Sequence, residues 1–203
     1  MKRTMLTLGI AALSYAGLSQ DTYWTIDPAH TTIGFNATHL VISEVSGQFL
    51  DFSGTVSSLN DENFSNAEIS LVVQTKSVDT ENAERDKHLR SADFFNCEQF
   101  PTMTFKSTRV RKINGNEYKL YGELTLNGIT KNVTLDLKHG GTIVDPIDGL
   151  TKAGFKVRGS INRYDFNLKW NIAQAAESFA VGEEIEIDCN VRLTLVNEEL
   201  STD

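Results

Sequence analysis

From Thr22 onward, apolar and polar residues alternate with a period of two. Ile33, Phe35, Ala37, His39 and Val41 share one parity, and Gly34, Asn36, Thr38 and Leu40 share the other. The alternation returns over 69–75, 102–106, 119–126, 133–138, 152–161 and 184–195. The stretch 47–57 reads as a further strand, interrupted near Leu50-Asp51. Side chains of a strand alternate between its two faces, so each segment has one apolar and one polar face. That is the mark of antiparallel sheet with one face in water. Asn114-Gly115-Asn116, Asn127-Gly128 and Gly140-Gly141 read as turns. The second joins 117–127 and 130–139 in a hairpin. About eight strands sharing one inward face, several longer than the common 5–6 residues, favour a tall closed barrel over a sandwich. The predicted fold is all-β: an extended, eight-stranded antiparallel barrel with one or two short helices over its mouth.

Two segments break the alternation. Residues 79–95 are highly charged and helical in character, with Glu81/Arg85 and Asp86/Arg90 as opposite charges four apart. They end in Phe94-Phe95, which can fold back onto apolar surface. Residues 171–178 are Ala-rich and predict a second short helix. Both read as connections over the mouth, where binding residues concentrate.

The first twenty residues stand outside this pattern. Lys2-Arg3 precedes an apolar run from Met5 to Leu13, and small residues follow at Ser14, Ala16, Gly17 and Ser19. This is the form of a cleaved secretory signal, and the run is too short to span a bilayer. The expected organisation is a signal over 1–20 and one domain over 21–203, with the product periplasmic or secreted. A formal charge of -8 and a pI near 5.0 argue against nucleic acid as a partner and against docking on anionic lipid by charge alone.

Catalytic chemistry is sparse. The four histidines, His30, His39, His88 and His139, show no metal-ligand spacing, and there is no phosphate-binding loop or nucleophile elbow. No catalytic residue, metal or cofactor is assigned. His39 has inward parity and reads either as a core histidine or as a polar contact for a ligand. Cys189 also has inward parity, and Cys97 lies in a loop; nothing places the two as disulfide partners. Small inward residues (Ala37, Gly122, Ala153, Gly159) among large ones leave room for a tunnel, unless the large ones fill it.

Several blocks are specific enough to carry a resemblance. They are Trp24-Thr25-Ile26-Asp27-Pro28-Ala29-His30, Ser77-Val78-Asp79-Thr80, and Arg85-Asp86-Lys87-His88-Leu89-Arg90-Ser91-Ala92-Asp93-Phe94-Phe95. Gly122-Glu123-Leu124-Thr125-Leu126-Asn127-Gly128 and Ile161-Asn162-Arg163-Tyr164-Asp165-Phe166 follow in order. Together they resemble the YceI-like family of exported bacterial proteins, from about Tyr23 to Leu195. The resemblance implies a lipocalin-like barrel that binds a polyisoprenoid lipid, a quinone or a prenyl diphosphate, in an apolar tunnel. It implies no enzymatic activity, and it admits a homodimer and transient membrane contact. Asn132 stands where proline is common in the family, and Tyr164 and Asn167 stand where Ser and Gly are common.

On parity and resemblance together, Ile33, Phe35, Leu71, Val73, Phe105, Leu124, Leu126, Leu135, Phe155 and Val157 are the expected tunnel wall. Leu89, Phe94 and Phe95 would close one mouth. His39, Arg85, His88 and Arg90 are the candidates for a lipid head group, with a structural ion-pair network as the competing role for the two arginines. Arg163 and Asp165 read as a loop-fixing ion pair. Three functions stay open at this stage: a lipid carrier, an enzyme acting on such a lipid, and an envelope protein whose barrel is filled.

Overall fold

The alternating segments pair into one antiparallel sheet that closes on itself as an eight-stranded barrel. The architecture is that of a computed structural model, which describes residues 21–40, 42–170 and 181–196. In chain order the strands are β1 (Thr22–Ile26), β2 (Thr32–His39), β3 (Ser43–Phe49), β4 (Phe52–Ser58), β5 (Glu68–Gln74) and β6 (Val78–Asp79). After helix α1 (Ala83–Arg90) come β7 (Thr102–Asn114), β8 (Glu117–Leu126), β9 (Ile129–Val144), β10 (Thr151–Asn162) and β11 (Val181–Leu195). The predicted second helix and the predicted signal lie outside the described residues.

The first three staves of the barrel are each broken in two. β1 and β2 lie end to end along β11, β4 and β3 lie along them, and β5 and β6 follow. Each break has a local cause. At the first, Asp27 caps a 3-10 turn over Pro28–His30, its Oδ1 accepting from the Ala29 N–H at 3.2 Å. Its Oδ2 sits 3.0 Å from His30 Nδ1 and 3.0 Å from Arg192 Nε. Arg192 also reaches Asp145 at 3.1 Å. The Asp-Pro-Ala-His motif is therefore a corner clamp that ties the β1–β2 kink to β11. The second break is the Leu50-Asp51 interruption read from the pattern. The third is a 3-10 turn at Thr75–Ser77, where the Thr75 hydroxyl donates to the Phe100 carbonyl at 2.8 Å.

Asn127 and Gly128 both take positive φ, 52° and 73°, which makes the tight turn that joins β8 to β9. Gly140-Gly141 is not a turn. β9 runs through it to Val144, and the pair forms a bulge where the register against β10 slips between Gly154 and Phe155. Gly141 takes φ 132°, a conformation an L side chain resists, so two glycines here mark a bend within a strand. The true β9–β10 turn lies over 145–150, where the Asp145 N–H donates to the Leu150 carbonyl at 2.8 Å.

The principal core gathers toward one end of the barrel, around Trp24, Phe64, Val110, Tyr118 and Leu137. Trp24 Nε1 donates to Ser58 Oγ at 2.9 Å, so its one polar atom is satisfied inside. His139 belongs to this floor. Its ring stacks on Phe155 at 4.9 Å and meets Phe64 edge-on at 5.1 Å. Desolvation, with nearby Lys112 in support, holds its pKa below the ordinary 6.5. Unfolding therefore gains a proton at mildly acidic pH. The stability that neutral His139 contributes is complete above about pH 6.5 and is lost as pH falls toward its folded-state value. Melting temperature should drop as pH falls below about 6.5, and His139→Phe should flatten that drop. An equally steep profile in the variant would assign the dependence elsewhere.

Candidate functional site

The inward faces do not meet. A cavity of about 250 Å³ occupies the barrel axis. It reaches from Leu89, Phe94 and Val181 at the α1 end to Val56, Phe64 and Leu137 at the floor. Along β11 its wall runs from Ile185 to Leu193, about 26 Å of strand. Among the described residues on that wall, Arg163 is the one charged side chain.

Most of the expected wall residues stand on it: Ile33, Phe35, Leu71, Phe105, Leu124, Leu126, Leu135, Phe155 and Val157. Leu89, Phe94 and Phe95 line its α1 end. Val73 does not line it. It is fully buried at the end of β5, in a second core cluster with Ile33, Phe49, Val78 and Cys189. The strand breaks there, and that cluster covers the side chain. Room for the cavity does not come from the small inward residues as a group. Ala37 is on the wall, but the Phe105 ring lies over Gly122 and the Leu135 side chain over Gly159, so these glycines make space for neighbours. Several wall residues had no separate mark in the sequence. Phe64 and Leu168 are loop-borne, and Ile187, Val191 and Leu193 lay within an evident strand without being singled out.

The polar candidates fare differently. His39 is half-buried at the end of β2 and is not on the cavity wall. The strand turns away there through Leu40, at φ 51°, so Ala37 is the last wall residue of β2. Neither arginine of α1 pairs with the acid four residues earlier. Arg85 donates from Nε to the Thr80 hydroxyl and from Nη2 to the Thr80 carbonyl, both at 2.7 Å. Arg90 donates to the Lys76 and Val78 carbonyls, also at 2.7 Å. Buried Asp86 instead accepts from the Thr80 N–H at 2.9 Å and hydroxyl at 2.6 Å. Glu81 sits in a positive-φ turn, ahead of the Asn82 N-cap, and is outside the helix. Arg85, Asp86 and Arg90 thus fasten the helix to β6 and its flanks. His88 alone remains at the mouth. Its ring meets Phe94 at 5.1 Å and Trp170 at 4.8 Å, both edge-on, and Nε2 lies 2.9 Å from Asp93.

Arg163 is not paired with Asp165, which is exposed. It is 2% exposed, and its guanidinium is enclosed by protein oxygens. Nε donates to the Gly182 carbonyl at 2.8 Å, and Nη1 donates to the Leu168 and Trp170 carbonyls. Nη2 donates to the Val181 carbonyl at 3.1 Å and to the Tyr164 hydroxyl at 3.2 Å. All five N–H groups of the fork are thereby used. Burial lowers its pKa from the ordinary value. Inward parity continued from Phe155 through Ile161 lands on residue 163, a signal that could have placed this side chain on the wall. The two family departures support the clamp. The Tyr164 ring lies 4.4 Å from the Arg163 guanidinium, and Asn167 takes the left-handed conformation, φ 58°, that glycine would otherwise supply.

The two cysteines differ sharply. Cys97 is half-buried and free. Cys189 is buried on the cavity wall, and desolvation pushes its thiol up to about 11. The thiolate is the reactive form. A disulfide-exchange reagent at neutral pH should therefore label Cys97 in the folded protein and Cys189 only on unfolding. Rapid labelling of both thiols in native protein would contradict this burial. Among the described residues no group of three or more His, Cys, Asp or Glu side chains is placed to hold a metal ion.

A closed antiparallel barrel with an apolar cavity along its axis is a lipocalin-like barrel. Within that class the chain belongs to the YceI-like family, whose domain it matches over residues 24–193. It is 42% identical over 180 residues to protein YceI of Escherichia coli O157:H7, spanning 87% of this chain and 93% of that one. Among solved structures, the YceI protein of Campylobacter jejuni superposes with a TM-score of 0.65 at 32% identity, over 84% of this chain and 96% of that one. BcnA of Burkholderia cenocepacia shares the fold at 19% identity, with a TM-score of 0.71 over 82% and 98% of the two chains. A polyisoprenoid-binding domain from Saccharophagus degradans, implicated in plant cell wall breakdown, does so at 14% identity, with a TM-score of 0.63 over 85% and 98%.

Proposed function

We propose that this protein is an exported carrier or store for a polyisoprenoid lipid, held with its chain in the barrel and its head group at the α1 end. The observation that carries this reading is the cavity: a space of about 250 Å³ walled by apolar side chains. Water gains little in such a space, and an apolar chain gains about 0.8 kcal/mol per CH₂ removed from water. The solved polyisoprenoid-binding domain with this fold is in keeping with such a ligand. The wall selects the chain and offers the head group almost nothing, because the N–H groups of Arg163 are already bonded to protein. His88, among the mouth aromatics, is the polar side chain best placed to meet a head group. An enzyme would need converging acid and base groups inside, and binding is the better account of an apolar wall. The signal-like first twenty residues support a periplasmic or secreted location.

The test is to purify the protein from its native host, extract it with organic solvent, and analyse the extract by mass spectrometry against a mock purification. A stoichiometric isoprenoid establishes the carrier and names the head group. An empty extract, still empty after quinones and prenyl diphosphates are offered in vitro, would overturn it.

A further inference from the structure

We propose that Phe64 is the length stop of the cavity, the ring on which the far end of a bound prenyl chain abuts. It therefore sets the longest chain the barrel takes. This rests on the carrier reading and deepens it, from a class of lipid to a limit on its length.

Phe64 is not on a strand. It comes from the 59–67 connection between β4 and β5, yet it is 2% exposed and stands on the cavity wall. Its ring meets Phe155 of β10 edge-on at 4.7 Å, His139 of β9 at 5.1 Å and Trp24 of β1 at 5.7 Å. In the order of the closed sheet, β4 and β5 lie opposite β9 and β10. A side chain that leaves one side and packs on the other crosses the lumen. Behind it, residues 59–62 of the same connection are exposed. The ring is thus the partition between the apolar cavity and solvent at this end.

A stop has to be held in place, and this one is. Asn60 Oδ1 accepts from the Glu62 and Asn63 N–H groups at 3.0 and 2.7 Å, and Asn63 Oδ1 accepts from the Ser65 N–H at 3.0 Å. These side chains pin the turn locally. Across the barrel, the Thr142 hydroxyl donates to the Asp61 carbonyl at 2.7 Å, and on the near side the Asn66 N–H donates to the Val110 carbonyl of the neighbouring strand at 2.8 Å. The connection is anchored on β9 and on β7, on either side of the ring it carries. The other end of the cavity lies under α1, so a chain entering there can lengthen only toward Phe64.

Delipidated protein is offered an equimolar ladder of all-trans prenyl alcohols differing by single isoprene units. It is then re-isolated, extracted and analysed by mass spectrometry. The wild type should retain chains up to a sharp limit. Phe64→Leu and Phe64→Ala should raise that limit by about one isoprene unit, close to the volume of the ring removed, or abolish it. Phe64→Trp should lower it. Opposite shifts from smaller and larger side chains are not produced by a purely structural role, and the Leu and Trp variants carry the test if the Ala variant does not fold. An unchanged limit in every variant, or a wild type that retains all lengths equally, overturns the length stop and leaves the carrier standing. A wild type that retains no prenyl alcohol overturns both.

Discussion

Arg163→Met should lower the stability of this protein by about 3–5 kcal/mol, because several buried neutral oxygens lose their donor at about 1–3 kcal/mol each, partly relieved by relaxation. In a domain of this size that is a fall in melting temperature of about 6–20 °C. The substitution keeps most of the apolar stem and removes the fork. Five oxygens lose their donor at once: the Leu168, Trp170, Val181 and Gly182 carbonyls and the Tyr164 hydroxyl. Four of them belong to two separate stretches, 168–170 and 181–182, which the guanidinium binds together at the start of β11. Arg163→Lys should fall between the wild type and the methionine variant, because an ammonium has three donors and no fixed fork. The alternative role, as an ion-pair partner of Asp165, makes a different prediction: Asp165→Asn would then be as costly as Arg163→Met. The geometry has Asp165→Asn near neutral. Thermal denaturation of the three variants decides the matter, and a methionine variant melting within about 2 °C of the wild type would sink the clamp.

That clamp shows where the sequence was legible and where it was not. Alternation carries the barrel because a period-two pattern with one apolar face has few other homes. Parity and resemblance together put nine of the ten expected wall residues, from Ile33 to Val157, on the cavity, although many of the side chains that line it were not singled out. Alternation failed where a residue's environment is made by other parts of the chain. Gly140-Gly141 has turn composition, and pairing with β10 turns it into a bulge. Val73 has wall parity, and a second core cluster covers it. His39 has wall parity too, but it is the last residue of its strand, where the chain turns away through Leu40. The α1 arginines invited a local charge-pair reading, and backbone carbonyls of the 76–80 stretch took them instead. Carbonyl acceptors leave no trace in composition. Phe64 was invisible for a related reason: it sits in a polar connection, and only the closure of the sheet brings β9 and β10 to its ring.

Whether the cavity is a binding site or a packing fault is decided by filling it. Val157 lies midway along β10, opposite Leu137 and Cys189, and faces the cavity. Val157→Trp should abolish uptake of prenyl chains, with at least a ten-fold loss of affinity, and should leave the melting temperature unchanged or higher. Wall atoms beside an empty space lack contact partners, and an indole placed there supplies them. A filled barrel behaves in the opposite way. Forcing a larger ring into a close-packed core costs about 1–3 kcal/mol, and it has no prenyl affinity to lose. The two measurements together separate the cases. Retained stability with lost binding places the ligand in the barrel. Retained stability with unchanged binding moves the ligand to the outer surface. Lost stability in a protein that never bound a prenyl chain means the side chains already occupy the axis. The carrier reading requires the first of these outcomes, because an apolar chain can leave water only by taking the space that the tryptophan would fill.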